Sequence, residues 1–295
     1  MTDRPVALVL HGGAGAVKGR DYAREIVHMR GLAEIARTLL NEGASALDVA
    51  VDTVRELEAS GLYVAGRGSS PNTDGDYELD AALMCGPDRL CGAVAALQGF
   101  RSPIAAARAV MERTPHVMLA GDGARRFAEA QGLEAIDDPE AWFTRAGQGE
   151  ANHPPTERLR HGTVGCVVLD REGRLAAATS TGGVFGKLPG RVGDTPIIAA
   201  GAWADETVAV SSTGQGEFFV RTAAAARVSF LMSLGGASLE AATQAAVAEV
   251  GALGGDGGLI AVDRQGNVAC PYNSDGMKRA ILHADGRIEA LAFEG

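Results

Sequence analysis

The chain has 295 residues, 46% of them hydrophobic, and a formal net charge of -10. That length holds one large α/β domain or two small ones, with enough apolar residues for a sizeable core. The acidic balance opposes a nucleic-acid partner, because phosphate binding needs clustered Lys and Arg, and none of the 27 basic residues forms a run. Small solutes are the expected partners. The first apolar stretch, residues 6–10, is too short for a secretory signal, and no apolar stretch is long enough to span a bilayer. The expectation is a soluble, cytoplasmic protein with no membrane partner.

Cys85, Cys91, Cys166 and Cys270 make no Cys-x-x-Cys spacing and read as reduced, mostly buried thiols. The histidines His11, His28, His116, His153, His161 and His283 make no His-x-x-x-His or His-Glu-x-x-His cluster, so no catalytic metal is expected.

In chain order, residues 6–10 read as a buried strand entering Gly12-Gly13-Ala14-Gly15, and residues 22–40 carry apolar side chains at helical spacing. Ser45 caps a second helix whose Leu47, Ala50, Val51, Val54 and Leu57 keep one face; Asp48, three residues on, suggests a capping box with a shortened acid. A loop rich in glycine, serine and asparagine, residues 61–76, precedes a strand at 79–84, and Ser102-Pro103 opens a third helix. Residues 144–162 are too polar to build a core and read as a flexible linker. Beyond it, strands at 164–169 and 175–180 are joined by a turn, Asp170-Arg171-Glu172-Gly173. A strand at 208–212, helices at 217–234 and 238–250, and strands at 259–262, 268–271 and 281–290 follow. Strands, two helices, then strands predict an α+β layered sandwich rather than a doubly wound sheet. No internal repeat is evident.

The linker ends at His161-Gly162-Thr163-Val164-Gly165. A Gly-Thr pair is ordinarily a turn entering a strand. It can also be a concealed nucleophile: cutting the Gly162-Thr163 bond would give Thr163 a free α-amino group beside its hydroxyl, and such amines titrate at about 7.7 to 8.0, which suits a general base. Downstream come Thr179-Ser180-Thr181-Gly182-Gly183, then Lys187-Leu188-Pro189-Gly190-Arg191-Val192-Gly193-Asp194, then Ser211-Ser212-Thr213-Gly214-Gln215-Gly216-Glu217. Singly, these are turns and a solvated Arg-x-x-Asp salt bridge. An arginine fork beside an aspartate also suits the carboxylate and ammonium of one free amino-acid head.

Taken together with His11-Gly12-Gly13-Ala14-Gly15 and Glu78-Leu79-Asp80-Ala81, this series resembles, over nearly the whole chain, the plant-type L-asparaginase and isoaspartyl peptidase family of N-terminal-nucleophile threonine hydrolases. The resemblance implies a four-layer αββα sandwich, maturing by self-cleavage into pieces 1–162 and 163–295 and assembling as a homodimer of processed pairs. It implies Thr163 as nucleophile, with Thr181 bonding to it or to its amine. Thr213 and the Gly214 N–H would form an oxyanion hole, whose donors typically contribute about 3 to 4 kcal/mol each. Arg191 and Asp194 would hold the substrate's α-carboxylate and α-ammonium, with the Gly216 carbonyl as a further acceptor. Asparagine and β-aspartyl dipeptides present that head free. An ordinary peptide does not, and would leave a buried charge unpartnered. The activity implied is hydrolysis of isoaspartyl dipeptides and of the asparagine side-chain amide through a Thr163 ester, with no cofactor.

One stretch departs from the family, whose early loop has Asn-Ala-Gly-x-Gly where this chain reads Val64-Ala65-Gly66-Arg67-Gly68. The family places a sodium loop of backbone carbonyls here, so Leu57, Glu58, Ser60, Leu62 and Val64 are the candidates for a structural sodium ion. Gly12-Gly13-Ala14-Gly15 reads as a close-packed turn, since it lacks the Gly-Lys-Ser/Thr ending of a phosphate loop. His161 reads as a solvated linker residue and Cys166 as a small core residue. Competing assignments are a glycosylasparaginase, a threonine endopeptidase, and a non-processing, non-catalytic relative.

Overall fold

A computed structural model describes residues 4–144 and 161–294, the side chain of His161 excepted. The first half runs β1 (Ala7–His11), α1 (Ala23–Asn41), α2 (Ala46–Ser60), β2 (Leu79–Cys85), β3 (Cys91–Leu97), α3 (Pro103–Arg113), β4 (Met118–Ala120), α4 (Gly121–Ala130) and α5 (Pro139–Trp142). The second runs β5 (His161–Leu169), β6 (Leu175–Val184), β7 (Ala202–Ala204), β8 (Val208–Gly214), α6 (Gly216–Thr222), α7 (Ala224–Ser233), α8 (Leu239–Ala252), β9 (Gly257–Asp263), β10 (Val268–Ala269), β11 (Arg279–Leu282) and β12 (Ile288–Leu291). The architecture is mixed α+β, with two sheets. One has eight strands in the order β12-β11-β1-β5-β6-β2-β3-β4, the other four in the order β10-β9-β8-β7. Among the strands of the described residues only the β3–β4 pairing is parallel.

Period-two alternation sorts the strand residues between faces. Leu8, Leu10, Leu83, Val164, Cys166 and Val168 pack against Met29, Leu40, Val54, Leu57 and Ile104 of α1, α2 and α3. Their neighbours Ala7, Val9, Met84, Val167, Leu169 and Ala177 face the other way and meet Ala209, Ile260 and Val262 of the smaller sheet. That sheet's outer face, Val208, Val210, Leu259 and Ala261, is covered by Ala225 and Val228 of α7 and by Leu239, Ala242 and Ala246 of α8. Each buried Val, Leu, Ile or Met side chain among these contributes roughly 1.5 to 3 kcal/mol of transfer free energy.

The cap residues act as their types predict. Ser45, Ser102 and Ser238 accept backbone N–H bonds from Asp48, Ala105 and Ala241. The capping box does not close, however. Asp48 takes the Ser45 hydroxyl at 2.6 Å and Arg108 at 2.6 Å, its side chain being one methylene shorter than the glutamate that reaches back to the cap N–H.

Other expectations are corrected. The helix expected over 217–234 breaks at Ala223, which sits at φ 48 between α6 and α7. The break lets the two halves serve different clusters, Phe219 packing with Val250 while Ala225 and Val228 cover the small sheet. The last strand divides into β11 and β12, paired as a hairpin. Of the free cysteines only Cys166 is fully buried. The linker expected over 144–162 has residues 145–160 outside the described ones, and its last two residues, 161 and 162, belong to β5 instead. Among the described residues, no helix is long and apolar enough to cross a membrane.

Candidate active site

The β5–β6 hairpin positions the central pair. Asp170, 1% exposed, builds its turn. Its carboxylate accepts the backbone N–H groups of Glu172 at 2.9 Å and Arg174 at 3.0 Å, the Arg174 Nε at 2.8 Å, and the Ala46 N–H at the start of α2 at 2.9 Å. This anchoring holds a register in which Thr163 faces Thr181, and Thr181 in turn faces Asp80 of β2. Alternation turns all three side chains toward the smaller sheet, where Ser211 and Thr213 of β8 point back.

Thr163 is 4% exposed, and its hydroxyl donates to the Thr181 oxygen at 3.3 Å. The Thr181 oxygen also accepts the Gly183 N–H at 3.0 Å, and its hydroxyl lies 3.4 Å from the Gly162 carbonyl oxygen and 3.5 Å from that of Val64. The β5–β6 register is irregular between His161 and Thr163, where two steps on β5 face three on β6, so the extra residue lies on β6 opposite the Gly162 peptide. Gly13 lies against this peptide. It has φ +98°, and a Cβ there would come within 3.0 Å of the Gly162 Cα and 3.4 Å of the Thr163 nitrogen, so only glycine suits the position.

His11 is a site residue that its motif alone did not reveal. It is fully buried opposite Gly165, with Nε2 at 2.9 Å from the Ser211 oxygen. Burial lowers its pKa to about 3, against a smaller upward pull from the Thr163 backbone, so the imidazole is neutral. A Cβ on Gly165 would come within 2.1 Å of the Ser211 oxygen and 2.5 Å of His11 Nε2. The second glycine of Gly-Thr-Val-Gly therefore makes room for this bond. The sequence signal was a histidine ending a strand directly before two glycines.

Thr163, Thr181, Arg191, Asp194 and Gly214 line one cavity of about 10 Å³, room for a water molecule at most. Thr213 is fully buried beside it, its hydroxyl accepting the Ala14 N–H at 3.4 Å. Gly216 lies against Asp194, whose backbone N and Oδ1 would each be 2.7 Å from a Cβ there. Arg191 and Asp194 form no ion pair with each other among the described residues. Instead the Arg191 fork takes Glu217, Nε to Oε1 and Nη2 to Oε2, both at 2.9 Å. Asp194 is 3% exposed and its Oδ2 has no hydrogen-bond partner among the described residues. Burial raises its pKa to about 7, opposed by its own backbone N–H and by Arg191. A buried carboxylate with an open oxygen beside an arginine is an arrangement that a ligand's ammonium would complete.

The candidate sodium carbonyls divide between the last turn of α2, with Leu57, Glu58 and Ser60, and the loop beyond it, with Leu62 and Val64. The Leu57 carbonyl accepts the Ser60 hydroxyl at 2.8 Å and the Val64 carbonyl accepts the Gly182 N–H at 2.9 Å. The Val64 side chain borders Gly162, where a Cβ would lie 2.9 Å from Val64 Cγ2. Among the described residues no group of His, Cys, Asp and Glu could hold a metal ion.

The sequence profile of the asparaginase family matches residues 4–291. An isoaspartyl peptidase of Salmonella typhimurium is 46% identical over 94% of this chain and 95% of its own length. A plant-type L-asparaginase of Pyrobaculum calidifontis is 41% identical over 92% of this chain and 95% of its own. An isoaspartyl peptidase/L-asparaginase of Danio rerio is 34% identical over 98% of this chain and 95% of its own. With a profile match and relatives that both span nearly its whole length, and with the motif residues converging on one cavity, this chain belongs to the asparaginase family.

Proposed function

We propose that this protein is a self-processing amidohydrolase that cleaves isoaspartyl dipeptides and the side-chain amide of L-asparagine. The observation that carries the reading is the meeting of the Thr163 and Thr181 hydroxyls at 3.3 Å, beside the Gly162 carbonyl. In maturation, the Thr163 oxygen attacks the Gly162 carbonyl carbon, a C–O bond replaces the C–N bond, and the hydroxyl proton ends on the departing Thr163 amine. Water then hydrolyses the ester and leaves pieces 1–162 and 163–295. The Thr181 hydroxyl supports the first step by donating toward the oxygen on which charge develops.

In turnover, the freed amine of Thr163 serves as the base and its hydroxyl attacks the side-chain carbonyl of the substrate. Ammonia or an amino acid leaves from a β-aspartyl ester, and water releases aspartate. Thr213 and the Gly214 N–H act as the oxyanion donors. Arg191 takes the α-carboxylate, and Asp194 and the Gly216 carbonyl take the α-ammonium. The small cavity fits this order of events, because departure of the strand end at Gly162 would make space for substrate beside Thr163. The helix layers outside the two facing sheets support a four-layer αββα sandwich. A sodium ion held by the Leu57–Val64 carbonyls would be structural and would share the oxygens of Leu57 and Val64 with their present donors. No step of the chemistry passes through it.

The test is a denaturing gel of wild type beside Thr163→Ala, followed by assays with β-aspartyl-leucine, asparagine and glycosylasparagine. Two pieces from wild type and an intact variant are expected, with turnover of the first two substrates. A wild-type chain that stays whole and inert after long incubation would overturn the reading.

A further inference from the structure

Glu78 and Lys187 are charged, 6% and 3% exposed, and have no part in the chemistry above. Removing two charges from water costs several kcal/mol per ion unless geometry returns it, so their bonds are informative. Both oxygens of the Glu78 carboxylate accept the Gly190 N–H, at 2.9 and 3.1 Å, and Oε2 also accepts the Asn72 amide at 3.2 Å. The Lys187 ammonium donates to the Glu78 backbone carbonyl at 2.6 Å and lies 4.0 Å from Glu78 Oε2. The Asp80 carboxylate attracts the same ammonium. Lys187 also fixes its own segment, its carbonyl accepting the Thr73 N–H at 2.9 Å.

The segment held in this way carries Arg191. Residues 185–201 lie outside any strand or helix, so no ladder orients the guanidinium. On its outer side the Arg191 guanidinium, 16% exposed, forms a bidentate pair with Glu217, 55% exposed, which holds the tip of the side chain and leaves the backbone turn to be fixed from elsewhere. Its inner constraint is the turn at Gly190, where the N–H that Glu78 holds belongs to the residue directly before Arg191. The other end of the pair borders the residue that supports Thr181. A Cβ on Gly183 would come within 2.7 Å of Lys187 Cδ, so the lysine arm lies across Gly183, whose N–H donates to Thr181.

We infer that the buried Glu78–Lys187 pair is a positioning latch for the Gly190–Arg191 turn, and that it sets how tightly the site holds a substrate's α-carboxylate. The inference rests on the amidohydrolase reading and assigns no contact between Glu78 and substrate.

The test compares asparagine with 3-aminopropanamide, the same amide without the α-carboxylate, in wild type, Glu78→Ala and Glu78→Gln. L-aspartate binding is measured by calorimetry in parallel. For Glu78→Ala the expectation is a KM for asparagine raised about tenfold or more, with kcat held within about threefold. Turnover of 3-aminopropanamide and the extent of self-cleavage should be unchanged. Glu78→Gln, which keeps the shape and one acceptor, should lie between the two and covers the case in which the alanine variant fails to fold. Equal losses on both amides, or an unchanged KM for asparagine, would overturn the latch. A wild type that hydrolyses neither amide nor β-aspartyl-leucine would instead overturn the amidohydrolase reading. L-aspartate then decides the latch: weaker binding in the variants supports it, and equal or absent binding overturns it.

Discussion

Thr163 and Thr181 stand directly opposite each other on β5 and β6, with their hydroxyl oxygens 3.3 Å apart. The hydroxyl of Thr181 is the one side-chain group among the described residues that lies within hydrogen-bond reach of both Thr163 and the Gly162 carbonyl. Thr181→Val keeps the β-branched shape and removes that hydroxyl. It should slow self-cleavage and turnover together, each by about 100-fold or more, the range for losing one donor at a developing oxyanion. A time course on denaturing gels with a parallel ammonia-release assay checks this, and a variant that matures at the wild-type rate would remove Thr181 from the mechanism.

Arg191 separates the two reactions. Maturation as proposed would use the chain's own Gly162 peptide and need no carboxylate contact, whereas a free substrate would. Arg191→Ala should lower kcat/KM for asparagine by about 100-fold or more while leaving self-cleavage within about threefold. Because its partner Glu217 is largely exposed, thermal stability should change little. Equal losses of maturation and turnover would make Arg191 a structural residue.

With Asp194 as the proposed ammonium partner, its pKa, raised to about 7 by burial, would give substrate binding a pH dependence. Below that value the carboxyl is mostly protonated and presents no charge to an ammonium. Arg191 opposes this shift, while Glu217 and Asp80 reinforce it. KM for asparagine should therefore fall as pH rises from about 6 to about 8. Asp194→Asn should bind weakly at every pH, with a flat profile. A wild-type KM that is constant over this window would exclude Asp194 as the ammonium partner.

Glu58 makes a prediction about stability. Its carboxyl is 1% exposed, takes the Ser102 hydroxyl and the Ile104 N–H at the start of α3, and is raised by burial from 4.5 to about 7. A carboxyl with a raised folded-state pKa contributes stability that is full below the unfolded value and is lost as pH rises through the folded one. Glu58→Gln cannot ionise. Its stability relative to wild type should therefore increase by about 3 kcal/mol between about pH 4 and about pH 8. Urea melts at the two ends read this directly, and an offset that does not vary with pH would refute it.

Local signals were legible where one residue type enforces one geometry. Ser45, Ser102 and Ser238 marked helix starts, and the apolar run before Asp170 with its Gly173 marked the central hairpin. β3 was not legible, because Cys-Gly-Ala-Val-Ala-Ala-Leu is rich in small residues with little strand preference. The break at Ala223 has no signal either, since alanine rarely adopts positive φ and tertiary packing imposes it here. At the site, the motifs named most of the side chains that meet, but not their partners. Arg191 finds Glu217, 26 positions away, rather than Asp194, three away. The bonds of His11 to Ser211 and of Glu78 to Gly190 join segments 200 and 112 positions apart, beyond any local pattern.

The strand order of the larger sheet bears on what a cut after Gly162 would leave behind. Strands from before that bond and after it alternate across the sheet: β12 and β11 belong to the second piece, β1 to the first, β5 and β6 to the second, and β2, β3 and β4 to the first. Three of the seven strand borders, β11–β1, β1–β5 and β6–β2, would be hydrogen-bonded between separate chains. Neither fragment could form the larger sheet without the other. The nicked protein would persist through the height of its unfolding barrier and, once melted, would have to find its partner by diffusion, so its heat denaturation should be irreversible where that of an uncut Thr163→Ala chain can reverse.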